Sequence, residues 1–208
     1  MIPTGLFGGS FNPAHPGHRA VSIFAIRLLR LREIWWLVSP GNPLKPDTGM
    51  APLGARMASA RQQARRAPIR VTAIERDFGT RYTVDTIAAL RRRFPKRRFI
   101  WLMGADNLAQ FHRWRRWREI ARLLPIAVIA RPGYDRAAHS APAMGWLRQY
   151  VHPAGQVMNW TKWRPPALVI IASRPDSSSA TAVRVRNPRW YQHSPIKAQR
   201  DGLSRRPV

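Results

Sequence analysis

Short apolar runs along this chain alternate with stretches whose apolar residues recur at helical spacing, the pattern of strands interleaved with amphipathic helices. Pro3 to Gly8 predicts a strand feeding a glycine turn, and Val21, Phe24, Ala25 and Leu28 mark the inner face of a helix between Gly17 and Leu31. Glu33 to Ser39 predicts a second, buried strand, closed by Pro40-Gly41-Asn42-Pro43. A helix is expected from about Pro52, which suits a first turn, to Arg66. Ile69 to Ile74 predicts a third strand and Thr83 to Phe94 a third helix. Phe99 to Met103 is the fourth expected strand and stops at Gly104-Ala105-Asp106. Helical segments at Leu108–Phe111 and Trp114–Leu124 lead into another apolar run, Ile126 to Ala130. A further helix is expected at Ala141–Tyr150, and a last strand at Ala167 to Ala172.

Strands alternating with helices of roughly 10–15 residues predict right-handed βαβ units and a parallel sheet. The expected fold is α/β: a Rossmann-like, doubly wound parallel sheet with helices on both faces of a single domain. That domain is expected to span residues 1–186. From Asn187 to Val208 the chain is polar, carries Pro and Arg without periodicity, and is expected to be a poorly ordered tail.

Composition narrows the function classes. The chain has 208 residues and no cysteine, which removes disulfides, thiolate metal ligands and a cysteine nucleophile. No apolar run reaches the roughly 18–20 residues needed to cross a bilayer, and no secretory leader pattern is visible, so a cytoplasmic protein without a membrane partner is expected. Charge is the unusual quantity: 36 Lys and Arg against 10 Asp and Glu give a net +26. Such a field attracts polyanions, whether nucleic acid, anionic lipid or phosphorylated metabolites. The basic residues are spread along the whole chain, which favours solvated helix faces over a dedicated nucleic-acid surface; the densest cluster, Arg91-Arg92-Arg93 and Lys96-Arg97-Arg98, flanks a helix end.

In a doubly wound sheet, ligands sit where strands end and helices begin. The segment Gly8-Gly9-Ser10-Phe11-Asn12-Pro13-Ala14-His15-Pro16-Gly17-His18 lies at such a place. Gly8 and Gly9 let backbone N–H groups approach phosphate oxygens, and the following helix adds the positive end of its dipole. His15 and His18, three residues apart, can face one ligand and stabilise developing charge. They could also be metal ligands or ordinary helix-start residues. No glutamate accompanies them as in a zinc-binding helix, and two histidines behind a Gly-Gly turn favour a functional role.

Gly9 to His18 resembles the GxFxPxHxGH motif of the H-x-G-H nucleotidyltransferase superfamily, and within it the chain resembles the bacterial nicotinate-nucleotide adenylyltransferases from about Leu6 to Arg186. The resemblance implies that Gly8, Gly9, Ser10 and Phe11 form the ATP-binding turn, with His15 and His18 catalytic. It implies that Lys45, in Pro40–Pro46, reaches the phosphates; by itself Lys45 reads as a solvated loop residue. Tyr82-Thr83-Val84-Asp85-Thr86 matches the family's helix start that holds the nicotinate carboxylate, through Thr83 and Thr86, although both threonines would otherwise read as caps. Gly104 and Asp106 match positions on the ATP ribose and adenine side, where Asp106 alone would read as an N-cap. Trp114 matches an aromatic set against the pyridine ring, while Trp117 reads as core.

Ser178-Ser179-Ala180-Thr181-Ala182-Val183-Arg184 resembles the superfamily's ISSTxIR motif, which implies that Ser179 and Thr181 bind the triphosphate and that Arg184 pairs with the leaving pyrophosphate. Two departures stand out: Ser178 replaces an apolar residue, and the polar tail replaces an amphipathic helix. Arg56 opens a basic helix and receives no role. The implied reaction joins ATP to nicotinate mononucleotide, giving nicotinate adenine dinucleotide and pyrophosphate in NAD biosynthesis, with Mg2+ carried on the triphosphate. A homodimer is a candidate assembly. One competing reading keeps the chemistry but takes phosphopantetheine or a sugar-alcohol phosphate as acceptor. Another is an RNA-binding protein that uses the interleaved Arg and Trp of Phe111–Trp117; it leaves the histidines and glycines unexplained, and no specific nucleic-acid partner is expected.

Overall fold

The structure, a computed structural model, describes residues 1–41, 49–130, 139–173 and 180–192. Its centre is a six-stranded, wholly parallel sheet in the order β3-β2-β1-β4-β5-β6, built from Ile2–Gly9 (β1), Glu33–Val38 (β2), Ile69–Thr72 (β3), Arg97–Gly104 (β4), Ile126–Ala130 (β5) and Leu168–Ala172 (β6). The strand order reverses direction between β1 and β4. That switch point opens a crevice at the carboxyl ends of the strands, the usual place for a ligand in such sheets. Rossmann-like topology is thereby present as expected.

Both sheet faces are buried, so the central strands are apolar at nearly every position rather than alternating. Successive residues feed two separate cores. Trp35, Leu37, Phe99, Trp101, Met103 and Val128 pack with Val84, Ile87 and Leu90 of α4 (Thr83–Arg93), Leu108 of α5 (Ala105–Gln110) and Ile120 of α6 (Trp117–Leu123). Ile34, Trp36, Val38, Ile100, Leu102 and Ile129 pack on the other side with Ala25 and Leu29 around α1 (Pro16–Leu28), and with Met57 and Ala60 of α2 (Leu53–Ala64).

Two expectations shift, and one element was not expected. The third strand ends at Thr72, and Ile74–Asp77 forms a short helix, α3, that turns the chain across the end of the sheet. The helix expected at Ala141–Tyr150 is present only as Met144–Leu147 followed by one 3₁₀ turn. Ala154–Lys162 is a 3₁₀ helix that seals the second core through Val157 and Trp160, whose indole donates to Leu29 O at 2.9 Å. The expected tail begins with described residues 187–192 and otherwise lies outside the described residues. Among the described residues, no helix is long and apolar enough to cross a membrane.

Candidate active site

At the switch point lies a cavity of about 880 Å³, bounded by the end of β1, the starts of α1, α4 and α5, and the helix Ala180–Arg186. Its first wall is the turn after β1. A side chain at Gly8 would meet the Trp101 ring at 2.7 Å, so glycine is required there by packing as well as by access to the ligand. Phe11 is 2 % exposed and sits at φ 46, a left-handed conformation unusual for a bulky residue. It is held by stacking on Trp36 at 4.9 Å and by edge contact with Phe7 at 5.9 Å.

Around this turn the chain closes a set of hydrogen bonds. Asn12 donates its amide to Gly49 O and accepts from the Ala51 N–H. Arg56, 1 % exposed, donates to Ala51 O and Ser10 O at 2.8 Å each, to Ser39 O at 2.6 Å and to Pro40 O at 3.1 Å. A single guanidinium therefore ties the β1 turn to the end of β2 and to the start of α2, using the forked donor geometry that only arginine offers.

His15 is the N-cap of α1, and Pro16 occupies its first turn. The His15 N–H donates to His18 Nδ1 at 3.2 Å, and the two rings lie 3.8 Å apart. With Nδ1 accepting, neutral His18 carries its proton on Nε2, so that nitrogen is a donor. His18 also packs against Phe11 at 4.9 Å, and its carbonyl accepts from Ser22, which in turn accepts from Trp36 Nε1. Both histidines line the cavity.

Arg184 reaches the same turn from the far end of the sequence, donating to Asn12 O at 2.6 Å and to Thr181 Oγ1 at 3.1 Å. Thr181 and Arg184 line the cavity, as do Gly8, Gly9, Ser10 and Phe11. Gly104 and Asp106 lie on the neighbouring wall, where the Asp106 carboxylate occupies the space a Gly104 Cβ would take. Lys45 and Ser179 lie outside the described residues.

The opposite wall comes from α4 and the segment before α6. Thr83 lines the cavity at the start of α4, where the first N–H groups lack partners within the helix. Thr86 does not line it. Its side chain is fully buried one turn further in, where its hydroxyl meets Thr80 Oγ1 at 2.8 Å and lies 3.2 Å from Tyr82 O, to which it donates. Trp114 lines the cavity in extended backbone between a 3₁₀ turn and α6, with edge contacts to Phe111 at 5.4 Å and Trp101 at 6.1 Å. Trp117 packs instead on Phe111 and Trp146. Arg115 lies 4.6 Å from the centre of the Tyr82 ring at the cavity mouth.

Sequence reasoning left Glu75 and Arg56 without roles. Glu75, at the start of α3, lines the cavity and is buried, which pushes its carboxyl from 4.5 up to about 7; a hydrogen bond with Ser39 offsets part of this. As for a divalent metal, no group of three or more His, Asp or Glu that could hold one occurs among the described residues. That donor set fits a magnesium delivered on a triphosphate and held chiefly by phosphate and water, with Asp106 the exposed carboxylate on that wall.

Residues 6–186 match the cytidylyltransferase-like family. The chain is 62% identical over 189 residues to a protein of Erythrobacter litoralis, covering 91% of this chain and 86% of that one. It is 50% identical over 185 residues to one of Parvibaculum lavamentivorans, covering 89% and 92%. Both relatives bear the name probable nicotinate-nucleotide adenylyltransferase. In three dimensions the chain is similar to the Plasmodium falciparum nicotinic acid mononucleotide adenylyltransferase, solved in complex with APC and with NaAD: TM-score 0.64, 15% identity, 89% of this chain and 83% of that chain, a likeness of fold. The chain belongs to the cytidylyltransferase-like family and, within it, to the nicotinate-nucleotide adenylyltransferases.

Proposed function

We infer that the cavity aligns ATP with nicotinate mononucleotide and transfers the adenylyl group between them. The mononucleotide phosphate oxygen forms a bond to the α-phosphorus as the bond from that phosphorus to the bridging oxygen of pyrophosphate breaks, and pyrophosphate leaves with the electron pair. No covalent protein intermediate is required, so the residues act by position and by charge. The observation that carries this reading is the meeting of Arg184 and the histidine turn, with Thr83 and Trp114 lining the same 880 Å³ cavity.

His18, through Nε2–H, and His15 donate to the phosphate oxygens on which charge builds. Arg184 pairs with the departing pyrophosphate, and Thr181 and Ser179 add hydroxyl donors. Gly8, Gly9, Ser10 and Phe11 present the turn to the triphosphate, Lys45 reaches it from the loop after β2, and Gly104 and Asp106 border the ribose and adenine. Magnesium, bound with ATP, neutralises phosphate charge and lowers the barrier to departure of pyrophosphate. The start of α4 at Thr83 receives the nicotinate carboxylate, and Trp114 stacks on the ring. Thr86 is reassigned: it braces this helix start from behind through Thr80 and Tyr82.

Residues 1–186 constitute the catalytic domain in this reading, residues 187–208 are an appendage, and the reaction is cytoplasmic. A homodimer is compatible with it but not required, since one chain supplies both walls. The test is a panel of acceptors with ATP and Mg2+: nicotinate mononucleotide, its amide analogue, phosphopantetheine and a sugar-alcohol phosphate. Dinucleotide formation with the pyridine acceptors supports the reading; turnover confined to either of the others refutes it.

A further inference from the structure

One residue that lines the cavity carries a donor with no acceptor among the described residues. Trp101, in β4, is 2 % exposed, and its indole nitrogen has no hydrogen-bond partner among the described residues. Buried donors are nearly always paired, because a lone one forfeits its hydration without compensation, so each exception calls for an explanation. The other large buried tryptophans for which a partner is recorded follow the rule: Trp35 donates to Glu33 at 3.0 Å, Trp36 to Ser22 at 2.8 Å and Trp160 to Leu29 O at 2.9 Å.

Trp101 differs from them in position. It lines the cavity, and its Cη2 and Cζ2 atoms press against Gly8 of the phosphate turn. The three Trp101 atoms nearest Gly8 belong to the six-membered ring, and one of them, Cζ2, is two bonds from the indole nitrogen. On its other flank Trp101 meets Trp114 edge to face, with the rings inclined at 86°. The indole therefore sits between the turn assigned to ATP and the tryptophan assigned to the ring of the acceptor, where the two substrates meet.

We propose that Trp101 is a binding residue for the pyridine mononucleotide, its indole N–H donating to an oxygen of that ligand. A phenylalanine here would fill most of the same space and support Trp114, but could not donate; the tryptophan retains a polar atom in an apolar core for the ligand's sake. This rests on the assignment of nicotinate mononucleotide as acceptor and adds a donor to its site.

The experiment has two arms, both on the full chain. Titration calorimetry of nicotinate mononucleotide into the wild type and Trp101→Phe is expected to show Kd raised roughly tenfold, with the affinity for ATP unchanged. In the 15N-labelled wild type, the Trp101 indole resonance, assigned through its own side-chain correlations, is expected to move downfield on adding the mononucleotide and to stay in place with ATP alone. This second arm decides the matter even if Trp101→Phe folds poorly. A resonance that does not move, or an unchanged Kd in a well-folded variant, overturns the proposal and leaves a structural water as the partner. Failure of the wild type to bind mononucleotide overturns both the proposal and the functional reading. Binding with a shifted resonance but no turnover overturns only adenylyl transfer.

Discussion

The two walls of the cavity are built by different means. The wall proposed to receive the phosphates is one continuous segment, Gly8 to His18, fixed by hydrogen bonds: Arg56 spans four carbonyls, Asn12 bridges to Gly49 and Ala51, and Arg184 closes on Asn12 O. The wall proposed to receive the pyridine is assembled from separate segments at Thr83, Trp101 and Trp114, and aromatic contacts hold it: Trp101 on Trp114, Phe111 on Trp114, Arg115 over Tyr82. The contrast follows from what each must hold. A transferring phosphate develops charge at defined points, and donors stabilise it only if they are fixed beforehand. A flat ring needs faces and an anion needs a helix start, both of which tolerate small displacements.

Substitutions on the phosphate wall should therefore lower turnover, and those on the pyridine wall should weaken acceptor binding. The largest expected effect is His18→Ala, which removes a fixed donor and should reduce kcat about 10²–10³-fold without unfolding the chain, read from steady-state rates beside a melting curve. Activity near wild type would break the comparison. Next is Arg56→Met: losing one guanidinium strands several carbonyls, and denaturant titration should show a loss of about 3 kcal/mol or more. Trp114→Ala should raise KM for the mononucleotide roughly 10- to 100-fold while kcat changes much less, and Trp114→Phe should recover most of this. Equal losses in kcat and kcat/KM would place Trp114 on the wrong wall.

The smallest effect concerns Glu75. Because burial raises its carboxyl from 4.5 to about 7, the folded chain keeps this proton more tightly than the unfolded one. Its contribution to stability is fully present below pH 4.5 and is lost as pH rises through about 7. Glu75→Gln should flatten the fall in unfolding free energy between pH 5 and 8, measured by denaturant titration. An unchanged slope would show that another group sets it.

The course of the turn from Gly8 to His18 was legible in the sequence, because two glycines, a proline at the helix start and two histidines three apart lie within eleven residues; the long-range bonds from Arg56, Arg184 and the Gly49–Ala51 segment that hold it were not. The sheet was legible for a similar reason, since strands buried on both faces are apolar throughout. Arg56 was not recognised, because an arginine at the start of a basic helix reads as solvated. The signal available was its shared stripe with Ala60 and Ala64 at steps of four, small residues that mark a face pressed to the core. Thr86 shares a buried face with Ile87 and Leu90, and of the two threonines only Thr83 lines the cavity, a distinction the sequence does not display. Glu75 lies just beyond the expected strand Ile69 to Ile74; the strand ends at Thr72 and Glu75 belongs to the short helix that follows. The 3₁₀ helix at Ala154–Lys162 shows only a three-residue step from Val157 to Trp160, too brief for helical periodicity. Trp101 falls in the fourth expected strand and is buried there; that its N–H lacks a partner among the described residues depends on residues distant in the chain.

The central claim is that both substrates occupy one cavity and react directly, and isotope exchange tests it most simply. With ATP, Mg2+ and labelled pyrophosphate but no mononucleotide, the account predicts no label in ATP; adding nicotinate mononucleotide should bring pyrophosphate release and dinucleotide in equal amounts. Exchange into ATP without the mononucleotide would reveal an adenylyl-enzyme and contradict direct transfer.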